Sequence, residues 1–526
     1  MASERPAAID STEPDQLRGG PVGGRLVGID VTAGTLRREA QSLLQNGFRL
    51  ALMAGQDDGD ALRVVYLFTQ PVTDRRIELR LPVDPRDPHV PSLAASSFAA
   101  GRFEREIRDL FGIVPDDHPM PSRLVRHFHW PRGWYPMRAA AGDPPPFGAV
   151  DGPFSFRAVE GPGVYEIPVG PVHAGMIGPG HFRFSVVGET ILNLKARLWF
   201  VHRGIEKLFQ GRTPGSGIEL AERISGDTSV GHTLAYCRAV EDALAVTVPI
   251  AAQQVRAVLL ELERLYNHVA DIGALCNDVG HGILNSQALR VREQLLRIND
   301  EVCGSRLLRG AISVGGARVR GLPGPEVLAA IAADAAEIAA LALGHSVVRD
   351  RFTGTAVLTR QQAVDLGTLG YVARASGLDV DARYDHAVRG VSCPAPRATV
   401  NTDGDVLARF LARVQEIDQS VEIVTGLVGE LGAGTLAAAA PEQGTGAGGS
   451  GRAGVGRVGV GIVEGWRGTI VHRVELDVEG ALTRVKVVDP SFFNWPALPV
   501  AMADTIVPDF PLANKSFNLS YAGNDL

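Results

Sequence analysis

QVRAVLLELERLYNHVADIG, residues Gln254–Gly273, decides the fold. Val255, Val258, Leu259, Leu262, Leu265, Tyr266 and Val269 recur at three-to-four spacing, which places them on one face of an amphipathic helix. DVLARFLARVQEIDQSVEIV, from Asp405, predicts another long helix. TILNLKARLWFVHRGIEKLFQG carries Leu194, Leu198, Val201, Ile205 and Leu208 at helical spacing and stops at Gly211, so it too predicts a helix. Helices of this length with single apolar stripes pack as an antiparallel bundle. The Ala-rich EVLAAIAADAAEIAALALG from Glu326 is interrupted by Asp334 and Glu337 and reads as an amphipathic or buried helix, not a membrane span.

Outward from this bundle the patterning changes. VYEIPVGPVH and residues His181–Val187 are strand-like, and TIVHRVELDVEG and TRVKVVDPSF predict an antiparallel strand pair near the end of the chain. Ahead of the bundle, RVVYLFT and RIELRLPV suit a hairpin, and SFAAGRFEREIRDLFG predicts a helix capped by Gly112. These readings divide the chain into a disordered N-terminus (1–24), a small mixed α/β domain (25–138), a Pro/Gly linker (139–164) and a mainly helical domain with flanking strands (165–526). The Gly/Ala-rich residues 433–454 read as a flexible insertion, and the tail VPDFPLANKSFNLSYAGNDL as polar and irregular. The fold class is α+β.

Composition narrows the function. A net charge of −7 gives no footprint for nucleic acid. Only Lys195, Lys207, Lys486 and Lys515 are lysines among 52 basic residues, a bias that points to genome composition more than to phosphate recognition. Cys237, Cys276, Cys303 and Cys393 form no CxxC pair, so neither an Fe–S cluster nor a thiolate zinc site is signalled. No GxGxxG follows a strand, which argues against a direct NADH site. The N-terminus lacks the apolar core of a signal peptide.

Four stretches carry chemistry-bearing residues. Glu206, in VHRGIEK, suits proton relay, or else is a surface carboxylate paired with a base. His173 and His181 flank a Gly/Pro loop, where they would bind a metal, donate to a carbonyl, or simply bond locally. ERISGDTSVGHTLAY, Glu222–Tyr236, sets Ser225, Asp227, Thr228 and His232 in a small polar turn that reads, unaided, as a helix N-cap at Thr228 or Ser229. VVDPSFFNWPALP places Ser491 and Asn494 after a strand, in a turn whose aromatic residues pack inward.

Together these segments resemble a known arrangement. VGPVHAG, PGHFRF, FVHRGIEK, LELERLYNH, RVREQLLRIND and GDVLARFLARVQEIDQS, in this order, are similar to the large subunits of energy-converting nickel–iron hydrogenases of the formate hydrogenlyase and hydrogenase-4 type, and to the complex I D subunit. FEREIRDLFGI, His118-Pro119, Arg123, Arg126 and Arg138 resemble the complex I C subunit. The fusion of the two is the hydrogenlyase arrangement.

The resemblance implies a nickel site held by two CxxC pairs. Here RISGDTSVGH keeps Arg223, Gly226 and His232, but Ser225 and Thr228 stand at the cysteine positions; DPSFFN has Ser491 and Asn494 at the other two. Soft thiolates are what that metal selects, so no nickel is expected. The family's quinone-binding tyrosine falls on Gly226, and its histidine partner has only approximate counterparts in His173 or His181. The resemblance still implies a pocket lined by His173, Glu206, Asp227, His232 and Ser491, receiving electrons from a partner Fe–S small subunit and passing them to a quinone or another acceptor. Antiporter-like membrane subunits are implied as further partners, with the chain peripheral on the cytoplasmic face. A non-catalytic coupling scaffold is the alternative of a different class.

Overall fold

The computed structural model describes residues 26–526 except 72, 149, 174, 176, 389–390, 392–394, 396, 398–399, 433 and 439–455, so the predicted disordered N-terminus and most of the predicted insertion lie outside the described residues. The first region is a four-stranded sheet. Leu26–Asp30 runs parallel to Arg75–Val83, which pairs antiparallel with Leu62–Gln70, and that strand with Arg49–Asp57. The helices Ala33–Gln45 and Phe98–Phe111 pack on it, the second closed by Gly112 in the left-handed region as its sequence predicts.

The bundle forms as expected around Ile250–Asp278, whose apolar stripe is buried, with Gly282–Cys303 and Val406–Glu430 against it. Pro325–Gly344 buries one stripe, Leu328, Ile331, Ala335, Ile338, Ala339 and Ala342, on Val406–Glu430 and Gly282–Cys303. It is also the one helix among the described residues long and apolar enough to cross a membrane, with a mean hydropathy of 1.9.

Two expectations fail. Residues 190–211 are not one helix: Thr190–Arg197 is the third strand of an antiparallel sheet with Val164–Val169 and His181–Val187, and only Ile205–Leu208 is helical. The physical reason is the turn ahead of it. Val187 pairs with Thr190 across Gly188-Glu189, and Gly188, at φ +59°, permits the tight reversal that folds the strand back before a helix can start. The tail is not irregular either. Phe510–Phe517 and Tyr521–Asp525 are helices, and Leu512, Phe517, Leu519 and Tyr521 are buried.

The second-domain strands form a three-stranded sheet, Arg457–Gly465, Gly468–Leu476 and Leu482–Val488. Its first strand alternates Val458, Val460 and Ile462 with Gly459 and Gly461, glycines being a composition that disfavours a strand reading. A Cβ on either would collide with the backbone of Ala239 or Ala235 in the helix Ser229–Leu244, so these glycines let that helix lie directly on the strand. The same sheet meets the N-terminal region through buried ion pairs: Arg473 with Glu78 at 2.5 Å and Lys486 with Glu106 at 2.7 Å. A larger buried ionic network stands between Ile250–Asp278 and Val406–Glu430. There Arg264 contacts Glu261 and Glu416, Arg374 contacts Glu416 and Glu464, and Arg383 contacts Asp381 and Glu261.

Candidate functional site

The polar turn Ser225–Thr228 lies at the mouth of the helix Ser229–Leu244. Thr228 is the N-cap by position, but its hydroxyl donates to Asp227 at 3.1 Å. The orphan N–H groups of the first turn are met instead by Glu263 of the central helix, which accepts from Val230 at 2.7 Å and Gly231 at 3.0 Å. Burial pushes the Glu263 carboxyl up to about 8.

Asp227 has the most accessible side chain of the turn's polar residues, 40% exposed. Arg467 grips it with two parallel bonds of 2.8 and 2.7 Å, and the Ser225 hydroxyl donates to it at 2.9 Å. Partial burial opposes ionisation, yet the Arg467 guanidinium wins and holds the Asp227 carboxyl well below the usual carboxylate range. Arg467 also donates to the Thr228 hydroxyl at 3.2 Å and lies 3.9 Å above the Trp466 ring.

All four positions of the implied metal ligands are engaged by the protein itself. Ser225 Oγ is 2.8 Å from Ser520 Oγ, and the Ser520 N–H donates to Ser491 Oγ at 2.9 Å. Thr228 is bonded as above. Asn494 exchanges bonds of 2.9 and 3.1 Å with the backbone of Leu369. Two serines, a threonine and an amide with these partners are hard, neutral donors already in use, and a cation occupies the space beside Thr228. The residues present do not fit nickel.

Behind this rim is a buried chain. His232 is fully enclosed, its Nε2 3.0 Å from Asp489 and its Nδ1 3.1 Å from His472 Nε2. Burial favours the neutral form of Asp489, but its bond to His232 keeps its carboxyl below the ordinary value. Burial, with the adjacent His232 ring, holds His472 well below the imidazole range. With Asp489 ionised, His232 donates to it through Nε2, and His232 Nδ1 is hydrogen-bonded to His472 Nε2. His472 Nδ1 is buried and has no hydrogen-bond partner among the described residues. Asp489 in turn accepts the Ser491 N–H at 2.7 Å, which joins the chain to the rim.

The structure therefore brings together Ser225, Asp227, Thr228, Ser491 and His232. It sets the other predicted residues apart. His173 bonds within its own loop, to Gly178 O at 3.3 Å and the Gly175 N–H at 3.2 Å, and His181 bonds to Gly170 O at 2.8 Å. Gly178 and Gly180 of that loop pack against Tyr521, the neighbour of Ser520. Asn494 faces Leu369. Glu206 is neither at the surface nor in the cluster: it is buried, 2.7 Å from Arg484 and 3.1 Å from Lys486, and accepts the Val487 N–H. Burial disfavours ionisation there, but Arg484 holds Glu206 below its ordinary value, while burial pushes Glu106, across Lys486, above its own.

Sequence reasoning missed Arg467, His472, Asp489 and Ser520. The first two lie on or beside a strand read only for its apolar residues; an arginine and a histidine in an otherwise apolar run were the available signal.

Three family descriptions match the chain in succession. Residues 29–142 match Respiratory-chain NADH dehydrogenase, 30 Kd subunit; residues 203–276 match Nickel-dependent hydrogenase; residues 278–446 match Respiratory-chain NADH dehydrogenase, 49 Kd subunit. Hydrogenase-4 component G of Escherichia coli (strain K12) is 30% identical, over 84% of this chain and 77% of that protein. The chain belongs to the formate hydrogenlyase and hydrogenase-4 large-subunit family. Formate hydrogenlyase subunit 5 of the same organism is 29% identical over 85% of this chain and 79% of its own length. The C/D protein of the NADH-quinone oxidoreductase of Bacteroides thetaiotaomicron is 29% identical over 70% of this chain and 74% of its own length. The chain also shares the fold of a chain from the membrane-bound sulfane sulfur reductase (MBS), an archaeal respiratory membrane complex, with a TM-score of 0.61 at 23% identity, over 69% of this chain and 98% of that one.

Proposed function

We propose that this family member is an oxidoreductase subunit of a complex I- and hydrogenase-related membrane complex, in which residues 25–138 and 165–526 act as the C-like and D-like halves. It receives electrons from a partner Fe–S subunit and delivers them to a quinone or another small acceptor at the Asp227 rim, without nickel and without an NADH site of its own. Antiporter-like membrane subunits complete the assembly, and the chain sits peripherally on the cytoplasmic face.

The observation that carries this reading is the coupling of the accessible Asp227–Arg467 pair to the enclosed Asp489–His232–His472 chain through Ser225, Ser520 and Ser491. An acceptor that gains electrons at the rim needs proton donors and a fixed positive field, and Arg467 supplies the field. Two links of the route are backbone N–H groups, which pass no protons. The rim and the histidine chain are therefore joined in position, and His232 and Asp489 manage protons only locally.

Assay of quinone reduction by the purified complex tests this. Asp227→Asn and His232→Ala are expected to lower turnover by about tenfold or more, within the usual range for a lost acid–base or electrostatic group. Unchanged turnover in both would sink the electron-transfer reading. The internal closure of all four ligand positions favours a second reading, a non-catalytic coupling role, and that result would establish it. Stoichiometric nickel in the complex would overturn both.

A further inference from the structure

The seam between the N-terminal region and the rest of the chain holds a second cavity, of about 120 Å³, apart from the Asp227 rim. Arg102 and Arg105 from the helix Phe98–Phe111 and Arg197 from the end of the strand Thr190–Arg197 line it, with Phe154, Trp199 and Trp495 as aromatic walls. Arg105 and Arg197 are 8% and 5% exposed. Among the described residues none of the three arginines has a carboxylate within ion-pair distance. Their partners are neutral. Arg105 donates to the carbonyls of Ser122 and Arg123, Arg197 to those of Leu124 and Arg126, and Arg102 to the Asn524 side chain at 3.2 Å. Arg102 Nε is buried with no acceptor at all.

The acids near enough to act on them are committed elsewhere. Asp109 accepts the N–H groups of Leu124, Val125 and Arg126 at 2.7, 2.8 and 3.1 Å. Glu106 is taken by Lys486, and Asp525 by the Val201 N–H at 3.1 Å and Asn524 at 2.8 Å. Burial, with Arg105 beside it, pushes Arg102 down to about 9, and burial pushes Arg197 to about 10. Converging guanidinium groups without counter-charge in a walled cavity are costly, unless an anion fills it.

We infer that this cavity is an oxyanion site, taking a phosphate-class group held by Arg102, Arg105 and Arg197. Guanidinium forks match tetrahedral oxyanions with paired N–H donors, and the unused Arg102 Nε supplies one. The site lies one residue from the functional rim, since Trp495, which walls it, donates to Ser520 O at 3.2 Å. The inference stands independently of the quinone reading.

Isothermal titration of the full-length protein with inorganic phosphate, against sodium chloride at matched ionic strength, tests it. Saturable one-to-one binding is expected, weakened at least about tenfold in Arg102→Gln, as for loss of a charge-assisted bond. Arg132→Gln is the control: that side chain is 72% exposed and outside the cavity, and binding should not change. Arg102→Met, an uncharged side chain suited to the Phe492 and Trp199 rings that the Arg102 guanidinium faces, serves if the glutamine variant does not fold. Sedimentation with phosphatidic acid vesicles, against phosphatidylcholine, separates the sources. Arg102-dependent binding of inorganic phosphate identifies a free oxyanion; Arg102-dependent binding of vesicles alone identifies a lipid headgroup. Binding of neither, or equal binding by wild type and the Arg102 variants, overturns the site.

Discussion

Two buried clusters of arginine in this molecule are built on opposite terms. Between the long helices, Arg264, Arg374 and Arg383 each lie within 3.0 Å of a carboxylate oxygen, and Glu261, Glu416, Glu464 and Asp381 are shared among them. At the seam, Arg102, Arg105 and Arg197 meet only carbonyls and an amide. The first cluster is closed, and its charges specify how the helices sit. The second is open, and its surplus charge is a request for something the chain does not supply. Burial alone does not separate structural from binding arginines; the count of committed carboxylates does.

Substitution should expose that contrast, most strongly in the closed cluster. Glu416→Ala takes one carboxylate from both Arg264 and Arg374, leaving Glu261 and Glu464 to them, and about 3–5 kcal/mol of stability should be lost in denaturant unfolding. Arg102→Gln, in the open cluster, should change stability by no more than about 1 kcal/mol of either sign in phosphate-free buffer, because no ion pair is broken. Equal losses in the two variants would erase the distinction.

The seam's paired acid Glu78 sharpens it with pH. Burial opposes its charge, but Arg473 and Arg80 hold its carboxyl down at about 2, against an ordinary 4.5. Its folded value is depressed, so its contribution of about 3 kcal/mol is complete above pH about 4.5 and is lost as the pH falls toward 2. Acid unfolding followed by circular dichroism should show that dependence in the wild type and a flatter one in Glu78→Gln. A smaller effect is expected at Glu263, whose two oxygens each accept one backbone N–H of the helix at Ser229. Glu263→Gln keeps one acceptor and turns an NH2 toward the other N–H, so about 1–2 kcal/mol of stability should be lost at neutral pH in the same assay.

The sequence disclosed what repeats and concealed what is made by tertiary contact. Ile250–Asp278 and Val406–Glu430 are legible because an apolar stripe must recur to bury one face. Thr190–Arg197 is misleading because Leu194 and Leu198 also satisfy helical spacing, and only the Gly188 turn tells strand from helix. The tail misleads because its polar side chains are met by buried partners, Ser520 by Ser225 and Asn518 by Asp271, which no local pattern announces. At the site, Asp227, His232, Ser225, Thr228 and Ser491 are legible from one turn and one strand end. Arg467, His472 and Asp489 join them only because a sheet folds against the helix Ser229–Leu244.

That contact also governs how the chain can drift over time. Because Gly459 and Gly461 leave no room for a side chain between strand and helix, each is a locked position: an alanine there would lift the helix and part His232 from His472. The interior around the histidines is thus protected by two residues that carry no chemistry. Mutational scans should find intolerance at these glycines comparable with that at the histidines themselves.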